Sequence, residues 1–493
     1  MTLYDDHPYH SRAFSFAHPD RLHVIAKLFG LTPAAVQSAR ILEIGCASGG
    51  HLWPMAMHLP EAEVVGVDMS EVQIEQGMEM VEALEIEDRL SFRWADIMEL
   101  TDELGTYDYV IAHGFYSWVP PEVAEKLMSL INTCLADNGV ALVSYNCFPG
   151  WGMKMMTSQM MKLHTQGITE DATEKIGQAR GLMDFLAGTV DQDEAYGQLM
   201  IAEQQAIMGT GDHVMFHGRL AEHNHPCWLR DFNLCADRNG LQYLGDVDLA
   251  TMMPDTYGPD VGEALEGVSD DIVVLEQYLD FIGGRSFRRS LLVKADAKPD
   301  RNVTPDRLEG MYVSGRVWAT SDIGDVRTDD PVSFQAMTGA AMEVGDPLMK
   351  AMLLTLGAIS PATISLDALV TASCELIGRN PKPERKQAIA ANLIPLFTHR
   401  VIELSPRPLP IAATMPDKPE ATLLSRLQAE MGVEVTTLRH DPQTLKPFDR
   451  ALLQELNGEK TDVQLAEWLE PEGGLATIQE RLEALRKSGL ILG

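Results

Sequence analysis

Short apolar runs alternate with amphipathic segments over the first 150 residues. Five of these runs predict buried strands, at residues 40–45, 63–68, 90–96, 107–113 and 139–145. The segments between them show helical periodicity, and Ser70 and Pro121 stand where helices begin. Strands that alternate with helices predict a parallel sheet covered by helices on both faces. The fold class is therefore α/β with a Rossmann-like sheet.

The pattern changes after residue 150. A methionine-rich helical segment without strand signals follows, and helix and strand patterns then return, which predicts a helical insertion before the sheet is completed. A helix, a strand-like segment and two amphipathic helices near the end resemble a winged-helix unit. The predicted parts are an N-terminal cap or lid at 1–37, a cofactor-binding core at 38–150, the helical insertion at 151–225, completion of the sheet at 226–297, a helical regulatory or substrate domain at 300–403, a proline-rich linker at 404–420 and the winged-helix-like domain at 421–493.

Length and charge narrow the possible classes of protein. A chain of 493 residues predicts two or three domains. The 72 acidic residues exceed the 39 basic ones and give a formal charge of −33, which disfavours nucleic acid as a partner. No run reaches the roughly 18 apolar residues of a membrane span, and the N-terminus does not have the order of a secretory signal, so we expect no membrane partner.

The cysteines and histidines do not predict a metal site. Six cysteines are spread along the chain without zinc-ligand spacing, and His223 and His225 stand two apart without further ligands nearby. Unpaired cysteines are typical of a reducing compartment. We therefore expect no metal and a cytoplasmic location.

A glycine-rich loop follows the first predicted strand. Gly45, Gly49 and Gly50 let the backbone turn and approach a ligand closely, while Glu43 stands at the end of the strand. The loop does not have the GxGxxG fingerprint of a dinucleotide site. An acid at this position would repel a pyrophosphate, but it can bind a cationic amino group.

Two further acids end the next two strands. Asp68 follows the second strand, where a carboxylate can accept both hydroxyls of a ribose, and Asp96 follows the third, where it suits an adenine amino group. Met69 and Ile97 would then lie against the ring faces. Acids at three consecutive strand ends beside a glycine loop predict a shared nucleoside site.

These residues resemble the class I S-adenosylmethionine-dependent methyltransferases over residues 38–150. In that family the first acid and the loop hold the methionine part, the second acid holds ribose and the third holds adenine. Many members have a third glycine where this chain has Ala47. The resemblance implies S-adenosylmethionine as cofactor, with the following cofactor-binding residues: Glu43, Gly45, Cys46, Gly49, Asp68, Met69, Gln73, Asp96, Ile97, His113 and Gly114.

A narrower resemblance covers most of the chain. The chain looks like the bacterial methyltransferases that carry a methyltransferase regulatory domain, on the segments FAHPDRL at 16–22, GCASGG at 45–50, AHGFYSWVP at 112–120, SYNCFPGW at 144–151, EHNHPCWLRDF at 222–232, LDFIGGRSFR at 279–288 and VTTLRHDP at 435–442. Characterised members are protein-lysine methyltransferases that act on bacterial outer-membrane proteins.

The residues after the fourth and fifth strands are candidates for the methyl acceptor's side of the site. Aromatic walls would stabilise a sulfonium cation and an amine. His113 and Tyr116 are the catalytic candidates, either as a base or as hydrogen-bonding groups that orient the acceptor. The aromatic residues could instead simply pack the loops. The substrate-binding candidates are Tyr9, His18, Tyr116, Trp118, Tyr145 and Asn146.

The sequence thus predicts a methyltransferase that acts on a protein lysine. A small-molecule methyltransferase is the alternative, and a non-catalytic nucleoside sensor is a third class. The acceptor is then a protein or a small molecule, and a homodimer is possible. An acidic surface favours a basic peptide segment as partner. A wide acidic cleft beside His113 would indicate a protein substrate, whereas a closed pocket would indicate a small one.

Overall fold

A seven-stranded sheet forms the centre of the N-terminal part of the chain. The computed structural model describes residues 11–168, 171–265 and 267–493. In this part the sheet has the order β3-β2-β1-β4-β5-β7-β6. Its strands are β1 Arg40–Ile44, β2 Glu63–Asp68, β3 Leu90–Trp94, β4 Tyr107–Ala112, β5 Leu135–Asn146, β6 Leu241–Asp246 and β7 Phe287–Lys294. The strand β7 runs antiparallel to both of its neighbours, β5 and β6, and the other pairs are parallel.

The alternation of apolar side chains along the strands separates two core layers. Ile41 packs in the core on one face of the sheet, and its neighbour Leu42 packs in the core on the other. The flanking helices are α1 Pro19–Leu28, α2 Leu52–His58, α3 Glu71–Leu84 and α4 Pro121–Cys134. Ser70 caps α3 by accepting from Gln73 N, and Pro121 is the first residue of α4. The Rossmann-like sheet with helical layers confirms the predicted fold class.

A helical insertion separates β5 from β6, as predicted. Its long helices are α5 Gly150–His164, α6 Ala172–Thr189 and α7 Ala195–Met208. Methionines fill a separate small core here, with Met161, Met183 and Met200 all buried. The chain then returns to the sheet through α8 Leu229–Arg238, and α9 Pro259–Leu265 and α10 Ile272–Gly283 connect β6 to β7.

Residues 300–403 contain short strands that the sequence analysis did not predict. Beside the helices α11 Pro347–Ile359, α12 Leu366–Leu376 and α13 Pro383–Thr398, the segment forms two small three-stranded sheets. Their strands are β8 Tyr312–Gly315, β9 Val317–Ala319, β10 Val332–Ala336, β11 Ala341–Val344, β12 Ile364–Ser365 and β13 Ile402–Ser405. Such strands are too short to show a period-two pattern. The strand β13 also takes in Leu404 and Ser405, which the sequence analysis assigned to a linker.

The last 70 residues fold around their own apolar core, which confirms the predicted winged-helix unit. The elements are α14 Leu423–Met431, β14 Glu434–Thr436, β15 Pro442–Thr444, α15 Pro447–Gln454, α16 Asp462–Leu469 and α17 Gly474–Lys487. Leu452, Leu465 and Leu482 are buried at its centre. No helix in the described part of the chain is both long and apolar enough to cross a bilayer.

Candidate active site

The loop after β1 takes a backbone path that needs glycine at two positions. Gly45 and Gly49 have φ values of +76° and +86°. A Cβ atom on Gly45 would lie 2.7 Å from the Phe115 ring, and one on Gly49 would lie 2.3 Å from the Phe92 ring. Ala47 takes a left-handed φ of +51° despite its side chain. The loop is therefore held tightly against neighbouring rings.

A cavity of about 490 Å³ opens beside this loop, at the carboxyl edge of the sheet. Glu43, Asp68 and Asp96 all line it, as the sequence predicted for acids at three strand ends. All the predicted cofactor-binding residues except Gly49 are among the described residues of its wall. No group of three or more potential metal-binding side chains is found in the described part of the chain.

Asp68 holds the loop as well as lining the cavity. Its Oδ2 accepts a hydrogen bond from Ala47 N at 2.8 Å, and its Oδ1 accepts one from Ser70 N at 2.9 Å. Each carboxylate oxygen can accept more than one hydrogen bond. Asp68 can therefore anchor the loop and still accept from a ligand.

Glu43 forms a buried pair with His51, which the sequence analysis missed. His51 Nδ1 lies 3.2 Å from Glu43 Oε1, while Glu43 Oε2 is buried without a hydrogen-bond partner among the described residues. Burial, with a further contribution from Asp68, raises the pKa of the Glu43 carboxyl well above its usual range. Burial lowers the pKa of His51 to about 3, and nearby His113 contributes. Glu43 Oε2 can therefore accept a hydrogen bond from a donor or a cationic group of a ligand.

His113 follows β4 and is held by Ser144, a residue of β5. His113 Nδ1 lies 2.8 Å from Ser144 Oγ, which also accepts from Gly114 N at 2.9 Å. Burial lowers the pKa of His113 to about 3, and Arg289 and Arg12 contribute. The imidazole is therefore neutral at physiological pH, which makes it a weak base and a better hydrogen-bonding group.

The described part of the N-terminal segment lies against the same cavity. Ser11, Arg12 and Phe14 line it, and Ser11 Oγ accepts from Gly50 N at 2.8 Å. The Phe14 ring lies edge-on to His113, with centroids 4.3 Å apart. The sequence predicted a cap or lid at residues 1–37 but did not assign Arg12 or Phe14 to the site. Tyr9 lies outside the described residues.

The predicted acceptor residues separate into two groups. Trp118 lines the cavity, whereas Tyr116, Tyr145 and Asn146 are not in the described part of its wall. Tyr145 is stacked on Phe232 with centroids 4.0 Å apart, and Asn146 Nδ2 donates to Asn224 at 3.0 Å. His18 caps α1 and lines a different cavity. The structure therefore does not bring these four residues to the loop after β1.

Tyr116 packs in the core beneath the cavity. Its ring lies edge-on to Phe232, with centroids 5.3 Å apart, and edge-on to Tyr145, with centroids 5.9 Å apart. Burial raises the pKa of the phenol, which disfavours its ionised form. We expect Tyr116→Phe to leave turnover within about twofold, because Tyr116 is not in the described wall of the cavity and the ring that packs against Phe232 is kept. Steady-state kinetics checks this expectation. A large loss of kcat with unchanged KM would show that Tyr116 contributes to catalysis.

Comparison with known proteins supports this architecture. The model of a methyltransferase domain matches residues 41–139, that of a predicted methyltransferase regulatory domain matches 211–294, and that of the PKMT C-terminal winged helix domain matches 417–484. An uncharacterized protein of Rickettsia prowazekii is 31% identical over 466 residues, which cover 92% of this chain and 83% of that protein. The structure of PKMT2 from Rickettsia typhi in complex with AdoHcy superposes with a TM-score of 0.88 at 27% identity, over 99% of this chain and 100% of that one.

The fold and the cavity together define a class I, S-adenosylmethionine-dependent methyltransferase. The chain belongs to the bacterial methyltransferases that combine this domain with a methyltransferase regulatory domain and a PKMT winged helix domain.

Proposed function

We propose that this enzyme transfers a methyl group from S-adenosylmethionine to the side-chain amine of a protein lysine. The observation that carries the proposal is the similarity to the protein lysine methyltransferase PKMT2 of Rickettsia typhi, which extends over 99% of this chain. That similarity includes the insertion and the winged helix domain as well as the catalytic sheet. Since these added parts distinguish the family from smaller methyltransferases, they favour a shared class of acceptor.

The acids and acceptors of the cavity suit the cofactor. Glu43 Oε2 and Gln73 Oε1 are buried acceptors without a partner among the described residues, and both residues line the cavity. An ammonium group provides the donors that such atoms lack. We assign the amino group to Glu43, the ribose hydroxyls to Asp68 and the adenine amino group to Asp96. Met69 and Ile97 would flank the adenine ring.

The acceptor side of the cavity is formed by residues from outside the sheet. Val214, His217 and Gly218 from the helical insertion line the cavity together with Phe14 and Trp118. The three carboxylates of the described wall, Glu43, Asp68 and Asp96, are all assigned to the cofactor, and the remaining wall is aromatic and imidazole-rich. The described wall therefore does not form the acidic cleft expected beside His113 for a protein substrate, and the choice of a protein lysine rests on the similarity to PKMT2. An apolar site of this kind favours the neutral form of an amine, which is the nucleophilic form.

The reaction then needs alignment more than acid–base chemistry. When bound, the cofactor supplies an electrophilic methyl group: the amine lone pair forms the N–C bond as the S–C bond breaks, S-adenosylhomocysteine leaves, and the released proton passes to water. Neutral His113 orients the reacting groups from its bond to Ser144. Phe14 packs edge-on against the imidazole and limits its movement.

Mass spectrometry of proteins tests this proposal. A cell extract incubated with the enzyme and a labelled methyl donor should gain label on protein lysines, and the Asp68→Ala variant should leave the extract unlabelled. Label confined to the small-molecule fraction would instead identify a small-molecule methyltransferase. Absence of label in both fractions despite tight cofactor binding would indicate the nucleoside sensor.

We propose a reducing cytoplasmic location for the enzyme. The six cysteines are all unpaired, and five of them are buried. Such cysteines behave as small apolar side chains where thiols stay reduced.

A further inference from the structure

A second cavity, of about 440 Å³, lies where the sheet domain, residues 300–403 and the winged helix domain meet. We call it the arginine cavity. Six arginines from separate elements line it: Arg21, Arg289, Arg316, Arg400, Arg407 and Arg439. Four carboxylates share the wall: Asp20, Asp248, Glu403 and Asp441. A positive excess here contrasts with the formal charge of −33 on the whole chain.

The acids of the wall do not neutralise all the arginines. Asp248 pairs with Arg400 and lies 3.4 Å from Arg289. Asp20 pairs with Arg407 at 3.0 Å, and Glu403 pairs with Arg21 at 3.1 Å. In the part of the chain that the structure describes, neither Arg316 nor Arg439 has a carboxylate within ion-pair distance. Arg439 donates one hydrogen bond to the backbone carbonyl of Pro361, which carries no formal charge. With Asp441 counted, the six arginines still exceed the four carboxylates of the wall by two positive charges, which are available to a ligand.

Buried polar atoms without partners are concentrated in the same wall. Arg439 Nε, His58 Nε2 and both ring nitrogens of His440 are buried and form no hydrogen bond with any described residue. The His440 side chain is only 4% exposed. Burial lowers the pKa of Arg439 to about 10, and the charge of Arg316 contributes. Buried polar groups of this kind cost free energy unless a hydrogen-bond partner reaches them.

We propose that the arginine cavity binds a phosphate group, either as inorganic phosphate or as a phosphate monoester. A tetrahedral dianion accepts hydrogen bonds from several directions at once, which matches arginines that come from different elements. A single carboxylate would need only one arginine, because one planar guanidinium can donate to both carboxylate oxygens. The volume of the cavity exceeds that of phosphate alone and leaves room for an organic group.

The arginine cavity lies where domains meet, so a ligand bound in it would contact more than one domain. His440, from the winged helix domain, lies edge-on to His18 of the N-terminal segment, with centroids 4.8 Å apart, and to His51 of the active site, with centroids 4.7 Å apart. A bound phosphate would bridge these domains across their shared boundary. Because a ligand that binds only the folded state stabilises it, phosphate should raise the melting temperature.

Calorimetric titration of the full-length protein with inorganic phosphate tests the proposal. Saturating S-adenosylhomocysteine keeps the active site filled, and sodium chloride holds the ionic strength constant. Arg439→Gln and Arg316→Gln should each weaken phosphate binding about tenfold or more, since each removes a hydrogen bond between charged groups. Arg379→Gln, which changes an exposed arginine outside the cavity by the same charge, should bind as the wild type does.

Two results would overturn the proposal. One is wild-type protein that shows neither binding heat nor a rise in melting temperature with phosphate. The other is binding that Arg316→Gln leaves unchanged; this exposed residue can be replaced without disturbing a core, so the test holds even if Arg439→Gln fails to fold. A parallel titration with glycerol phosphate separates the two sources, because tighter binding of the ester indicates a phosphorylated metabolite and weaker binding indicates the free ion.

Discussion

Asp68→Ala is expected to weaken binding of S-adenosylmethionine by about 10- to 150-fold, which corresponds to about 1.5–3 kcal/mol. The substitution removes the proposed acceptor for the ribose hydroxyls. It also releases Ala47 N and Ser70 N, which Asp68 holds at 2.8 and 2.9 Å. The first change removes a contact to the cofactor. The second lets the loop leave the conformation that binds the cofactor. Isothermal titration calorimetry with S-adenosylhomocysteine measures the loss.

The control for this experiment is another aspartate on the same domain. Asp88 is exposed and forms its ion pair, among the described residues, with its neighbour Arg89, so Asp88→Ala changes the net charge equally without touching the cavity. We expect its affinity for the cofactor to equal that of the wild type. If Asp68→Ala binds the cofactor as tightly as the wild type does, Asp68 takes no part in binding. The proposed site would then not be formed by the acids at three consecutive strand ends.

The second large effect concerns stability. Arg288 on β7 is fully buried, and its guanidinium donates to Asp280 Oδ1 and Oδ2 at 2.8 Å and to Glu276 Oε2 at 3.0 Å. Replacing it by leucine leaves the buried Glu276 without its counter-charge and leaves Asp280 with only Arg285, whose Nη1 lies 3.7 Å away, among the described residues. Burial already raises the pKa of both acids. We expect Arg288→Leu to lower the free energy of unfolding by about 3–5 kcal/mol.

Urea denaturation followed by circular dichroism tests this expectation through the midpoint of the transition. The matched control is Arg238→Leu, because Arg238 pairs with Glu125 on the surface. Solvent screens that pair, so the midpoint should stay where it is in the wild type. A similar midpoint for both variants would mean that the buried network around Arg288 contributes no more than a surface pair.

The sheet and its loop could be predicted because their signals are local. A buried parallel strand is a continuous apolar run, and a loop that must approach a ligand needs glycine, as Gly45 shows. The carboxyl ends of neighbouring parallel strands meet at one edge whatever the rest of the chain does. For that reason the sequence is enough to place Glu43, Asp68 and Asp96 in one cavity.

Side-chain direction near the acceptor could not be predicted in the same way. Tyr116 and Trp118 are two residues apart in one short turn, yet Trp118 lines the cavity and Tyr116 packs against Phe232. Which of two adjacent aromatic rings faces a ligand depends on the space that the insertion and α8 leave free. No period along the sequence contains that information.

The sequence alone therefore determined the class of fold and the three acids that line the cavity proposed for the cofactor, because each follows from spacing within a few neighbouring elements. Only the tertiary structure decided the partners of those residues. His51 meets Glu43, Ser144 meets His113, and His440 reaches His51 from about 390 positions away in the chain. Contacts between distant segments depend on how whole domains pack together, and the arginine cavity exists only because three of them meet there.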